Sequence, residues 1–305
     1  MASPGDSGAA PGRSVARVVD SPTTLEGGGF MVRRPFPQAS VSFFDPFLLL
    51  DEMGPTETPP GDAKGAPDHP HRGFETVTYL LAGEMQHRDS AGNAGTLRPG
   101  DVQWMTAGSG VIHAEMPTED FQRRGGLTHG FQLWVNLPGR DKMVAPRYQD
   151  IPSDRIPVVT SADGLVTVKV VAGEAMGARA VIETHTPIVY FHVTLRPGGA
   201  LVQPLGLSFN AFVYAFQGSP VVGAGAEAQV VGVGQMAILD ARGATVTLSL
   251  PADASEPAEL LLIGGEPLQE PVARYGPFVM NTRAEVIQAV EDFQAGRFGQ
   301  IPREG

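Results

Sequence analysis

The sequence predicts an all-β chain, two β-barrels of one kind in tandem, ending in a C-terminal helix. Three observations carry this. Short segments rich in Val, Ile, Phe and Tyr, among them TVTYLL, DVQWMT, FQLWVNL, IVYFHVTL, AFVYAF and AELLLI, follow one another from Phe30 to about Gly265. The 38 glycines and 27 prolines supply turns between them, a pattern of antiparallel sandwiches and barrels. The third observation is an internal repeat. TVTYLLAGEMQHRDSAGNAGTLRPGDVQWMTA can be laid over AFVYAFQGSPVVGAGAEAQVVGVGQMAILDA, so that Tyr79 meets Tyr214, Gly83 meets Gly218 and Gly100 meets Gly234.

Read along the chain, residues 1–15 are a polar, glycine-rich tail expected to fray. Residues 16–140 are expected to form the first barrel and residues 141–305 the second. A proline-rich, unpatterned stretch, NLPGRDKMVAPRYQDIP, joins them. The last forty residues change character. AEVIQAVEDFQAGRFG places Ala284, Ile287, Val290 and Phe293 at helical spacing, with Asn281 or Thr282 as the expected cap. RYGPFVMNT just before it reads as a strand. That apolar stripe needs a cover, and the first barrel is the expected one.

Composition narrows the function. A chain of 305 residues, 42% of them apolar, is long enough for two buried cores. The net charge of −11 and the lack of a Lys/Arg run argue against nucleic acid and against an anionic membrane surface. No apolar run reaches the roughly 20 residues that span a bilayer, and the start has no apolar core of a secretion signal, so a cytoplasmic monomer is expected. Cysteine is absent. That removes disulfides, thiolate nucleophiles, iron–sulfur clusters and cysteine-bearing zinc sites, leaving redox chemistry to a metal or cofactor.

The histidines suggest which. Among only seven, His69 and His71 lie one residue apart in DHPHRGFET, and His113 lies one residue from Glu115 in GSGVIHAEMP. Residues two apart on a strand share a face. If both pairs lie on strands lining one barrel, three imidazoles and a carboxylate converge on a point, a donor set for one divalent transition metal. A lone HxH arises often by chance; two such pairs within one copy of the repeat do not read that way. In the second copy His69, His71 and Glu75 correspond to Pro204, Gly206 and Asn210, and no histidine follows Gly234, so one metal per chain is expected.

Five other positions carry weaker signals. His129 shares a strand face with Phe131 and Leu133 and is either on the cavity wall or a hydrogen-bonded core residue. His87, beside charges at the entry to a turn, is expected in solvent. His192 reads as a packed or edge-strand residue. Of Trp104 and Met105, one is expected to face the barrel interior.

HPHRGFE and GSGVIH resemble the two motifs of the cupin superfamily of jelly-roll-like barrels, with Gly83 one residue late and Gly108 in place of a proline. The stretches FLLLDEMGP, DHPHRGFETVTYLLAGEMQHRDSAGNAG, LRPGDVQWMTAGSGVIHAEMP, FQLWVNLP and GGEPLQEPVARYGPFVMNT are similar to the pirin family of bicupins over about residues 15 to 300. The resemblance implies His69, His71, His113 and Glu115 as metal ligands, the set the strand argument gives. General cupins would use Glu75 as a ligand. The pirin pattern makes it a neighbour that bonds a ligand imidazole or rims the cavity, and this is preferred because Glu115 completes the set.

The resemblance further implies bound iron first, with manganese, nickel, copper or zinc as alternatives. The expected activity is quercetin 2,3-dioxygenase, with O2 and a flavonol-like small molecule as substrates, Glu115 as catalytic base and Glu75 as the reserve candidate for that role. The alternative is a non-catalytic protein whose metal state is read by a regulatory protein partner. A sugar-phosphate isomerase would want cationic residues in the cavity, and only Arg72 and Arg88 are near.

Overall fold

The repeat is built as two pairs of sheets with matching strand order, in a computed structural model that describes residues 12–302. In the unit holding the histidine pairs, a seven-stranded antiparallel sheet runs Arg147–Ile151, Val102–Thr106, Phe74–Ala82, Gly126–Asn136, Phe47–Thr58, Phe30–Phe36 and Thr23–Glu26. Against it stands a four-stranded sheet in the order Ala66–His71, Val111–Pro117, Met85–Asp89 and Ala94–Leu97. The other unit repeats the order. Val15–Asp20, Gln235–Leu239, Asn210–Gln217, Ala258–Gly265, Ile188–Leu195, Val166–Ala172 and Val158–Thr160 form its large sheet. Ala200–Pro204, Thr245–Ser249, Val221–Val222 and Gln229–Val230 form its small one.

The paired glycines are where the repeat is fixed. Gly83 and Gly218 have φ of +95° and +66°, and Gly100 and Gly234 have +90° and +77°, a region that side chains disfavour. The backbone N–H of Gly100 donates to Leu80 O at 2.7 Å, and that of Gly234 donates to Ala215 O at 2.8 Å. The same turn thus closes on the same strand in both copies.

The division at residue 140 is not the one the contacts make. The first unit takes Ser21–Pro157, Ala180–Pro187 and the described residues from Pro267 onward; the second takes Val158–Arg179, Ile188–Glu266 and the described residues up to Asp20. The reason is edge closure. The Val15–Asp20 strand pairs with Gln235–Leu239 and covers backbone groups that the second large sheet would otherwise leave open. The expected tail is correspondingly shorter: residues 1–11 lie outside the described residues, but Arg13 is buried, its guanidinium donating to the carbonyls of Phe209 (2.6 Å), Gly206 (2.6 Å) and Gly243 (3.0 Å).

The C-terminal helix spans Arg283–Gln294 and groups with the first barrel. Thr282 is its cap. The Thr282 hydroxyl accepts from Glu285 N at 3.3 Å while the Glu285 carboxylate accepts from Thr282 N at 2.8 Å, a reciprocal capping box. The expected stripe is turned, however. Val286 and Ala289 are buried, whereas Ile287 is 50% exposed, because Asp292 faces inward to meet the Arg72 guanidinium at 2.7 Å. Bringing Asp292 to Arg72 orients the helix on the side of Val286, Ala289 and Asp292. Ala289 and Val290 then pack with Phe278, Phe298 and Ile112. Among the described residues no helix is long and apolar enough to cross a membrane.

Candidate metal centre

Strand register brings the histidines together. Val111–Pro117 runs antiparallel to Ala66–His71 with His113 opposite His69 and Val111 opposite His71. The imidazole centroids lie 4.4 Å (His69–His113), 4.7 Å (His69–His71) and 4.9 Å (His71–His113) apart. One nitrogen from each ring falls within 4.8 Å of the other two.

The environment favours the neutral form of His71 and His113. Burial, together with the neighbouring imidazoles, holds the pKa of both His71 and His113 well below the usual histidine value. His69 Nδ1 lies 2.8 Å from the carbonyl of Pro67. A carbonyl only accepts, so Nδ1 carries the hydrogen and Nε2 keeps its lone pair. Both ring nitrogens of His113 are buried without a hydrogen-bond partner among the described residues, as is His71 Nδ1. Unpartnered buried nitrogens are costly. A cation among the three rings would engage one nitrogen of each, so the residues present fit a metal ion.

Glu115 stands beside this cluster without joining it: its carboxylate is outside the 4.8 Å group formed by the three rings. It is 8% exposed, and Oε1 accepts a hydrogen bond from Thr78 Oγ1 at 3.0 Å. Glu115, His69 and His71 line one cavity of about 810 Å³, whose wall is completed by Leu49, Asp51, Met53, Leu80, Gln132 and Trp134. Cavities of this size hold a small organic molecule.

Glu75 is elsewhere. On the Phe74–Ala82 strand, Phe74 meets the His71 ring at 5.0 Å and Thr78 meets Glu115, so the even-numbered residues face the cluster. Glu75 is on the opposite face, where Oε1 accepts from Thr106 Oγ1 at 2.7 Å; burial pushes its carboxyl upward against that bond. It neither bonds a ligand imidazole nor rims the cavity. His129 also faces away, its Nε2 3.0 Å from Glu52 Oε1, the core reading of the two offered for it.

His87 is not in solvent. It is 2% exposed, stacked on Tyr148 with centroids 5.1 Å apart and an interplanar angle of 19°. It sits opposite Glu115 in the register, with room made by Gly95, where a Cβ would stand 2.3 Å from His87 Nε2. His192 is packed, but on an interior strand paired on both sides. Trp104 and Met105 are both buried because both faces of their strand are covered.

The reading from sequence missed Thr78 and Gln132. Their signal was available: Thr76 and Thr78, and Gln132 and Trp134, are alternate residues that share a face of their strands. In the second barrel the equivalent strands, ALVQP and TVTLS, carry no histidine or carboxylate.

Tandem jelly-roll-like barrels with a three-histidine cluster in one of them define a bicupin. The pirin profile matches residues 29–135 and the pirin C-terminal cupin domain profile matches residues 190–299. A pirin-like protein of Solanum lycopersicum is 43% identical over 287 residues, 94% of this chain and 93% of its own. Pirin of Homo sapiens is 42% identical, covering 90% of each chain. The crystal structure of a quercetin 2,3-dioxygenase from Acinetobacter baumannii superposes with a TM-score of 0.87 at 36% identity, over 95% of this chain and 100% of that one. The chain belongs to the pirin family.

Proposed function

We propose that this pirin-family chain is a flavonol 2,3-dioxygenase that uses O2 at one divalent transition metal held by His69, His71, His113 and Glu115. The observation that carries the reading is the convergence of three imidazoles, those of His71 and His113 buried, at a mostly apolar cavity that His69 and His71 line, with a single carboxylate beside them. The likeness to the Acinetobacter baumannii dioxygenase supports the substrate class. A bound metal would supply Lewis-acid and redox chemistry.

The remaining work falls to this chain's side chains. Leu49, Met53, Leu80 and Trp134 take an aromatic ligand out of water. Glu115 accepts the proton of the flavonol 3-hydroxyl: Thr78 engages Oε1, and Oε2 is the oxygen assigned to the proton. Removing that proton makes the ring electron-rich enough to react with O2.

Oxygen uptake with quercetin, by protein loaded in turn with iron, manganese, nickel, copper and zinc, tests the reading. Glu115→Gln keeps the shape and an oxygen donor but cannot take a proton. Turnover should fall by roughly two to four orders of magnitude, the worth of a positioned base. Wild-type-like turnover in metal-loaded Glu115→Gln would remove Glu115 as the base. No uptake by the wild-type protein with any metal or flavonol would remove the oxygenase reading and leave the metal-dependent regulatory one, in which a protein partner distinguishes the loaded from the metal-stripped form.

A further inference from the structure

Thr78 Oγ1 has two neighbours that, as placed, both need its hydrogen. Glu115 Oε1 is 3.0 Å away and the side-chain amide oxygen of Gln132 is 2.6 Å away. A hydroxyl carries one hydrogen, and neither a carboxylate nor an amide oxygen brings another. Two arrangements resolve this. In one, the Gln132 amide is rotated by half a turn, an exchange of N and O that heavy-atom positions do not distinguish. Its Nε2–H then donates to Thr78, and Thr78 donates to Glu115. In the other, Thr78 donates to Gln132 and Glu115 must bring a hydrogen of its own.

The first arrangement satisfies every group without adding a proton. Gln132 and Thr78 are register partners on adjacent strands of the large sheet, and Glu115 reaches them from the small sheet. Gln132 also lines the cavity, so rotation leaves its carbonyl oxygen facing open space and strands no donor. Adjacent hydrogen bonds that run in one direction polarise and strengthen one another.

We infer that Gln132 and Thr78 are positioning residues: a one-way chain of hydrogen bonds, Gln132 Nε2–H to Thr78 Oγ1 and Thr78 O–H to Glu115 Oε1, spans the two sheets and holds the Glu115 carboxylate as an acceptor toward the three-histidine cluster. The inference deepens the proposed site and rests on Glu115 serving there.

Two measurements test it. Side-chain amide NMR of the metal-stripped protein reads the orientation directly. Contacts between the Gln132 amide hydrogens and the Thr78 side chain are expected, and amide hydrogens that face only the cavity would overturn the chain whatever the metal does. Metal affinity, by chelator competition with Zn²⁺, reads the positioning. Thr78→Val should weaken binding roughly 10–100-fold, the usual effect of removing a group that orients a ligand, with the metal-stripped melting temperature as the check on folding. Thr78→Ser should restore affinity. Gln132→Met decides the direction. If the chain runs as inferred, losing its first donor weakens binding; if Thr78 instead donates to Gln132, deletion frees that hydrogen for Glu115 and binding tightens. A failure of the site itself looks different: His113→Ala would then bind Zn²⁺ as well as wild type, while the NMR contacts still decide the chain.

Discussion

Two glycines with the same backbone angle and different surroundings allow the docking of the C-terminal segment to be measured. Gly73, in the turn that follows His71, has φ of +86°, and Gly61 has +87°. A Cβ on Gly61 meets nothing within 4 Å, whereas a Cβ on Gly73 would stand 2.0 Å from the backbone oxygen of Val279 and 2.8 Å from Met280 Sδ. Gly→Ala carries the same conformational cost at both, about 1–2 kcal/mol. At Gly73 the Phe278–Met280 strand must also retreat. That movement loosens Val279 N–H to Arg72 O (3.0 Å), Arg72 N–H to Pro277 O (3.3 Å) and the buried Lys142 Nζ to Val279 O (3.0 Å). At about 1 kcal/mol each, Gly73→Ala should cost roughly 3 kcal/mol more than Gly61→Ala. For a unit of this size that is an additional fall in melting temperature of roughly 6–12 °C. The comparison is made on metal-stripped protein, so that lost metal binding does not contribute. Equal melting temperatures for the two variants would refute the claim that the C-terminal segment is locked to the histidine turn.

Three further outcomes are expected. His113→Ala should remain folded, since a barrel of this size has a core of its own, and lose most of its metal affinity; the wild type should bind one ion per chain, and two tightly bound ions would contradict the reading of the second barrel. Asp51, in the cavity wall, has its carboxyl pushed by burial up to about 6, although its bonds to Arg34 act the other way. Because it holds a proton more tightly folded than unfolded, its contribution to stability is complete below about pH 4 and is lost as the pH rises to about 6. Asp51→Asn should flatten that part of the melting-temperature profile, and an unchanged slope there would count against it.

What the sequence made legible was whatever depends on local geometry. A positive φ needs glycine, so Gly83, Gly100, Gly218 and Gly234 mark the same turns in both copies. Strand alternation puts His113 and Glu115 on one face, and both are buried there. Pairings across the chain were not legible: nothing in Val15–Asp20 says that its partner lies more than 200 residues away. His87 was misread for a nearer reason. Its charged neighbour Arg88 suggested solvent, but alternation sends Arg88 outward and His87 and Asp89 inward, where both are buried.

Glu75 shows where the alternation rule stops. Counting by twos from His69 through His71 and residue 73 leads to Glu75, which in an unbroken strand would share the histidines' face. The chain is not unbroken: Gly73 turns it between Ala66–His71 in the small sheet and Phe74–Ala82 in the large one. A turn resets the count, and on the far side of it the residues facing the cluster are Phe74, Thr76 and Thr78. The HxH(x)3E spacing therefore does not by itself decide whether its glutamate faces the histidines. What decides it is whether the chain turns between the second histidine and the glutamate, and in this chain the signal for that turn was the glycine after Arg72.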